Sequence, residues 1–174
     1  GTTIFKSCVS LKSIVIPDSV TSLSQKMFEG CYNLKSVVIP KSVTSFNTYV
    51  FSGCSGLSSI IIPDSITSIN NYAFNNCSSL ASVVIPEGVT SINMNAFYTC
   101  YSLVAIVMPS TLKSIASNAF YQCLSMKSYD FRRHTSVPTL GASSSDVFRS
   151  IPSDCKIIVP DALYDEWIAA TNWS

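Results

Sequence analysis

Cysteine recurs every 23 residues along most of this chain, at Cys8, Cys31, Cys54, Cys77, Cys100 and Cys123. Phenylalanine keeps the same step at Phe5, Phe28, Phe51, Phe74, Phe97 and Phe120, and proline at Pro17, Pro40, Pro63, Pro86 and Pro109. Three residues past each cysteine stands Leu11, Leu34, Leu57, Leu80, Leu103 and then Met126. A fixed period of this length is the mark of a solenoid, and it overrides local propensity. One unit cannot bury its own apolar face, so neighbouring units must stack.

Each unit reads F-x-x-C-x-x-L-x-x-I/V-x-I-P-x-x-V/I-x-x-I/L. Around Phe and Cys the apolar groups stand three apart, which predicts one or two turns of helix. A run such as Ser82-Val83-Val84-Ile85 is β-branched and closes at Pro86. It predicts a short strand, ended by a residue that cannot donate to a ladder. Stacked at about 4.7–4.9 Å, these strands make a parallel sheet of roughly six. The expected interior is Phe74, Cys77, Leu80, Val83, Ile85, Val89 and Ile92 with their equivalents, among them Phe51, Phe97, Cys31, Cys54, Cys100 and Cys123.

Bulk properties narrow the classes. The chain has 174 residues, 47% apolar and 12% charged, which excludes a disordered chain and supplies a core. Net charge is +1, so nothing favours nucleic acid or an anionic membrane. No apolar run approaches the roughly 18 residues of a membrane-spanning helix. GTTIFKSCVS shows no basic stretch followed by an apolar segment. Phe5 and Cys8 enter in mid-unit, so the chain is expected to come from a longer protein.

The phased pattern resembles a leucine-rich repeat of the BspA-like type, common in secreted and surface proteins of gut and oral bacteria and of some mucosal protists. The resemblance covers residues 4–131. It implies an α/β solenoid: a right-handed leucine-rich-repeat coil of 23-residue units, six in this chain, with a parallel sheet on one side and short helices on the other. Residues 1–131 would form the array, with its first unit incomplete. Residues 132–174 would supply an irregular loop, a last strand and a C-terminal capping helix of the same domain. PTLGASSSDVFRSIPSDCKIIVPDALYDEWIAATNW also resembles the segment that closes such arrays in gut bacterial proteins.

Three chemistries compete for the cysteines. A metal site wants converging ligands at spacings such as C-x₂-C, and none occurs. Catalysis wants a nearby base, and His134, the only histidine, lies outside the array. A disulfide fits the stacking distance, which falls within about 4.4–6.8 Å between Cα atoms, but stacked side chains point the same way. A column of inert buried thiols is the expectation, with no cofactor and no metal. Cys155 breaks the period and is expected in a core-like position of the closing unit.

Alternation places two columns on the outer face of the strands. Val15, Val38, Ile61, Val84 and Val107 form an apolar stripe beside Ser13, Ser36, Ser59, Ser82 and Ala105. Lys12, Lys35, Ser58, Ala81 and Val104 flank them. Such a stripe marks an interaction surface, although β-propensity alone also favours these residues. A weaker glycan or peptide candidate is the turn around Tyr49, Tyr72, Asn70, Asn71, Asn93, Asn95 and Asn118, where turn geometry already accounts for asparagine. Asn76-Cys77-Ser78 and Asn172-Trp173-Ser174 match the N-glycosylation pattern, which matters only in a eukaryotic source. Arg132, Arg133 and His134 read as a solvated basic loop. Asp161 is expected to cap a helix whose Leu163, Tyr164, Trp167 and Ile168 cover the last coil.

No paired carboxylates, nucleophile–base arrangement or phosphate loop appears, so no enzyme is expected and no catalytic residue is assigned. The resemblance implies an extracellular or cell-surface module that adheres to host or neighbouring-cell proteins, its protein ligand unidentified. The alternative is a structural spacer or assembly module of a larger surface protein, self-associating through the same stripe.

Overall fold

A computed structural model describes residues 3–141 and 144–170, the side chains of 144 and 145 excepted. Each 23-residue unit makes one coil with three walls. The first wall is the strand ending at the repeated proline: β1 Ser13–Val15, β3 Ser36–Val38, β5 Ser59–Ile61, β7 Ser82–Val84, β9 Ala105–Val107 and β11 Ser128–Asp130, extended by β13 Lys156–Ile158. These pair in parallel as β1-β3 and as β5-β7-β9-β11-β13. Equivalent residues face each other, Ser13 opposite Ser36 and Ile60 opposite Val83, so the sequence period is the sheet register.

A second wall was not anticipated as a sheet. It consists of two-residue strands: β2 Ser22–Leu23, β4 Ser45–Phe46, β6 Ser68–Ile69, β8 Ser91–Ile92, β10 Ser114–Ile115 and β12 Thr139–Leu140. They pair in parallel as β2-β4 and as β6-β8-β10-β12. Hydroxyls in and beside these strands bridge coils: Ser68 and Ser91 are bonded at 2.9 Å, and Thr90 Oγ1 donates to Thr67 O.

The third wall, around Phe and Cys, corrects the expected helices to turns. Alternate N–H groups leave the coil for the next one: Phe51 N donates to Ala73 O and Gly53 N to Asn75 O. The N–H groups between them close turns three residues back, as Cys54 N does on Phe51 O. A helix needs every N–H for its own ladder, so a wall that spends half of them between coils cannot be helical. Left-handed residues enforce the pattern, among them Tyr49, Tyr72, Asn95 and Asn118 at one turn and Gly30, Gly53 and Asn76 at the other.

Columns of like residues fill the coil. The rings of Phe5, Phe28, Phe51, Phe74, Phe97 and Phe120 stack at 5.2–5.6 Å between centroids. Phe148 prolongs the column 6.0 Å beyond Phe120. Each buried ring contributes about 1.5–3 kcal/mol from its removal from water, before the contacts between rings.

The closing segment differs from expectation in two places. Leu163 precedes the closing helix, Tyr164–Ala169, and Asp161 sits inside a 3₁₀ turn, Asp161–Leu163, that follows Pro160; neither start carries a side-chain cap. Trp167 is buried and Leu163 packs against the core, but Tyr164 and Ile168 are exposed. A helix of this length presents one narrow face, and Trp167 fills it. His134 is likewise not solvated. It is buried, its Nδ1 lies 3.1 Å from Phe131 O, and its ring sits between Phe131 and Trp167 at 5.2 and 6.2 Å. The two arginines beside it do reach outward, Arg132 to Asp130 and Arg133 to Glu87.

Candidate interaction face

The cysteines are all free thiols and build no site. Cys31, Cys54, Cys77, Cys100 and Cys123 are fully buried, as are Phe51, Phe74 and Phe97; Cys8 and Cys155 are half-buried. Each thiol of the inner column donates back one coil, from Cys31 Sγ to Phe5 O at 3.0 Å and from Cys77 Sγ to Phe51 O at 3.2 Å. The same carbonyl already accepts an N–H from its own coil, so the thiol occupies its second lone pair. Burial pushes Cys77 and Cys123 up to about 12 and raises Cys54 and Cys100 as well. Such thiols stay protonated and poorly nucleophilic. Among the described residues no group of three or more metal-ligating side chains converges, and no helix is long and apolar enough to cross a membrane.

The turn candidate is explained by bonding between adjacent coils. Asn70 Nδ2 donates to Phe46 O at 2.6 Å, and Asn93 Nδ2 reaches Asn70 Oδ1 at 3.1 Å. Asn71 Oδ1 accepts from Met94 N. Asn95 and Asn118 hold left-handed backbone. Tyr49 and Tyr72 stack at 4.4 Å, with the Lys26 ammonium 5.0 Å over Tyr49. Asn172–Ser174 lies outside the described residues.

The main-sheet stripe is different: its side chains have nothing above them. Relative exposure is 71% for Val15, 58% for Val38, 83% for Ile61, 75% for Val84 and 51% for Val107. The neighbouring Ser36, Ser59 and Ser82 are also exposed. Register holds β1 to β3 and β5 to β7, so Val15 faces Val38 and Ile61 faces Val84. Past Val107 the column continues with Asp130 and then Ile158. Asp130 accepts from Arg132 Nε at 3.0 Å and Nη2 at 2.6 Å, and these bonds hold its carboxyl below the usual range. An ion pair therefore interrupts the apolar column after Val107, a feature sequence reasoning missed although Asp130 keeps the 23-residue step from Val107.

On the neighbouring turn Glu87 accepts from Ser110 N and Oγ, both at 2.8 Å, and meets Arg133 at 2.5 Å. Its carboxyl is lowered, chiefly by the Ser110 hydroxyl. This carboxylate is structural, tying the loop at 133 to the array.

A stacked coil with a bonded, closed interior and an open β-branched face defines a solenoid repeat protein. Six copies of the BspA type leucine rich repeat region match residues 1–144, and the chain belongs to that family. It is similar to a solved leucine rich repeat protein of T. pallidum, with 27% identity and a TM-score of 0.75, over 94% of this chain and 72% of that one. A leucine-rich repeat protein of Eubacterium ventriosum shares the fold at 21% identity and a TM-score of 0.64, over 85% of this chain and 41% of that one. A leucine rich cell surface protein of Faecalibacterium prausnitzii matches at 21% identity and a TM-score of 0.50, over 98% of this chain and 65% of that one. No curated protein sequence matches the chain significantly.

Proposed function

We propose that this chain is a non-enzymatic protein-interaction module, acting outside the cell or at its surface, that adheres to host or neighbouring-cell proteins through the outer face of its main sheet. The observation that carries the proposal is the exposed column of Val15, Val38, Ile61, Val84 and Val107. Five β-branched side chains at one position of the repeat, each more than half exposed, form a rigid apolar surface for a partner to cover. The rigidity lowers the entropy cost of binding. A surface location fits the family, and one similar structure is described as a leucine rich cell surface protein.

The test is binding to a panel of immobilised extracellular matrix proteins. Wild type is compared with a variant carrying Val38→Glu, Ile61→Glu and Val84→Glu, its fold checked by circular dichroism. Saturable binding by wild type, lost in the folded variant, supports the reading. Equal binding by both moves the site elsewhere. Absence of binding by either favours a spacer.

A further inference from the structure

Where the turn wall passes into the main sheet, one column reads Ser7, Gly30, Gly53, Asn76, Thr99 and Gln122. All six are left-handed, with φ from +56° to +74°. Asparagine, threonine and glutamine hold this conformation in the later coils, so the backbone does not require glycine at 30 and 53. Glycine provides room instead. A Cβ on Gly53 would stand 3.7 Å from Tyr32 Cε1, and one on Gly30 would stand 3.8 Å from the Tyr32 hydroxyl oxygen. The edge of the Tyr32 ring flanks the space that two side chains would have filled.

The adjacent column reads Val9, Tyr32, Ser55, Ser78, Tyr101 and Leu124. Two serines separate two exposed tyrosines, which stand three coils or about 14 Å apart. The result is a groove of about 430 Å³, walled by Tyr32 and Tyr101 and floored by Gly53, Ser55 and Ser78. That volume suits a small ligand, for which pockets run about 300–1,000 Å³. Several polar groups of the groove make no hydrogen bond within the described residues: Asn76 Nδ2, Ser78 Oγ and both tyrosine hydroxyls. Glu29 closes one end. Its Oε2 meets Lys6 Nζ at 2.8 Å and Lys26 Nζ at 3.7 Å, which offsets its charge.

We propose that this groove binds a neutral saccharide. A sugar ring offers an apolar C–H face and a rim of hydroxyls. Tyrosine walls match the face, and the amide, serine and carboxylate groups match the rim. None of the lining residues is aliphatic, so the groove offers aromatic faces and polar groups rather than an aliphatic socket for a peptide side chain. The groove lies apart from the Val/Ile stripe, and the proposal does not depend on protein binding there.

The experiment is a microarray of neutral oligosaccharides, followed by NMR titration of the strongest hit. Two variants accompany the wild type. Tyr101→Ala removes one wall. Gly53→Asn fills the floor with the residue that Asn76 already holds at the same φ, so the fold is kept. At least one neutral saccharide is expected to bind, with each variant weakening it about tenfold or more. The variant carrying Val38→Glu, Ile61→Glu and Val84→Glu should bind it like wild type. Absence of neutral saccharide binding, binding of charged glycans alone, or binding unaffected by both groove variants would each overturn the proposal. So would selection of peptides by the groove in preference to saccharides.

Discussion

Tyr129 stands on β11 at the inward position that Val37, Ile60, Val83 and Ile106 hold in earlier coils. Its ring packs edge-on to Phe120 at 5.1 Å and tilted against Phe148 at 4.7 Å. Its hydroxyl oxygen is buried without a hydrogen-bond partner among the described residues. Burial accordingly pushes the phenol well above its ordinary pKa. An unsatisfied buried polar group costs about 1–3 kcal/mol. Tyr129→Phe keeps the ring contacts and removes the orphan, so it should stabilise the fold by about that amount. For a chain of this size, 1 kcal/mol moves Tm by about 2–4 °C, so the expected rise is several degrees. Paired circular-dichroism melts at pH 7 read it directly. An unchanged or lower Tm would refute the reasoning, because it would mean the hydroxyl has a partner, such as a buried water, worth more than its desolvation.

Other perturbations have defined outcomes. Phe74→Ala removes a fully buried ring stacked on Phe51 and Phe97 and should cost about 3–5 kcal/mol in chemical denaturation. His134 is held below its usual 6.5, chiefly by burial, with Glu87 opposing. A depressed folded value means that its contribution is complete above pH 6.5 and is lost as pH falls from there through the folded pKa. The Tm should therefore start to fall before Glu87 and Asp130 contribute, since their carboxyls are lowered from 4.5 and 3.8. His134→Phe should flatten the upper part of that profile; an unchanged slope would remove His134 from the account.

The period made much of the molecule legible. Cys77, Phe74, Val83 and Ile61 fall on definite faces because a 23-residue step carries every residue onto its equivalent in the next coil. The step said nothing about which N–H groups bond between coils, so the third wall read as helix from apolar spacing alone. The left-handed Gly30, Gly53, Asn76, Asn95 and Asn118 were the available signal, since their recurrence punctuates any helix. The second sheet escaped because its strands are two residues long, below any reliable alternation. Beyond residue 131 the step fails. Phe148 joins the ring column 28 residues after Phe120, and Trp167 buries His134 from a helix thirty-three positions away. The groove was hidden for another reason. Gly53 and Ser55 look ordinary singly, and only their columns show that side chains are missing between two tyrosines.

The central claim is that each 23-residue unit closes one coil in this register, with thiols and Ile60 inside and Ile61 outside. The direct measurement is native thiol labelling read by mass spectrometry, on wild type and on Ile60→Cys and Ile61→Cys. Cys31, Cys54, Cys77, Cys100 and Cys123 should stay unmodified until the protein unfolds. Ile61→Cys should add one fast site and Ile60→Cys none. A register slip by one residue reverses the two faces of a strand. Rapid labelling of four or more of the native thiols, or a fast Ile60→Cys with a silent Ile61→Cys, would contradict the coil and the exposed face together.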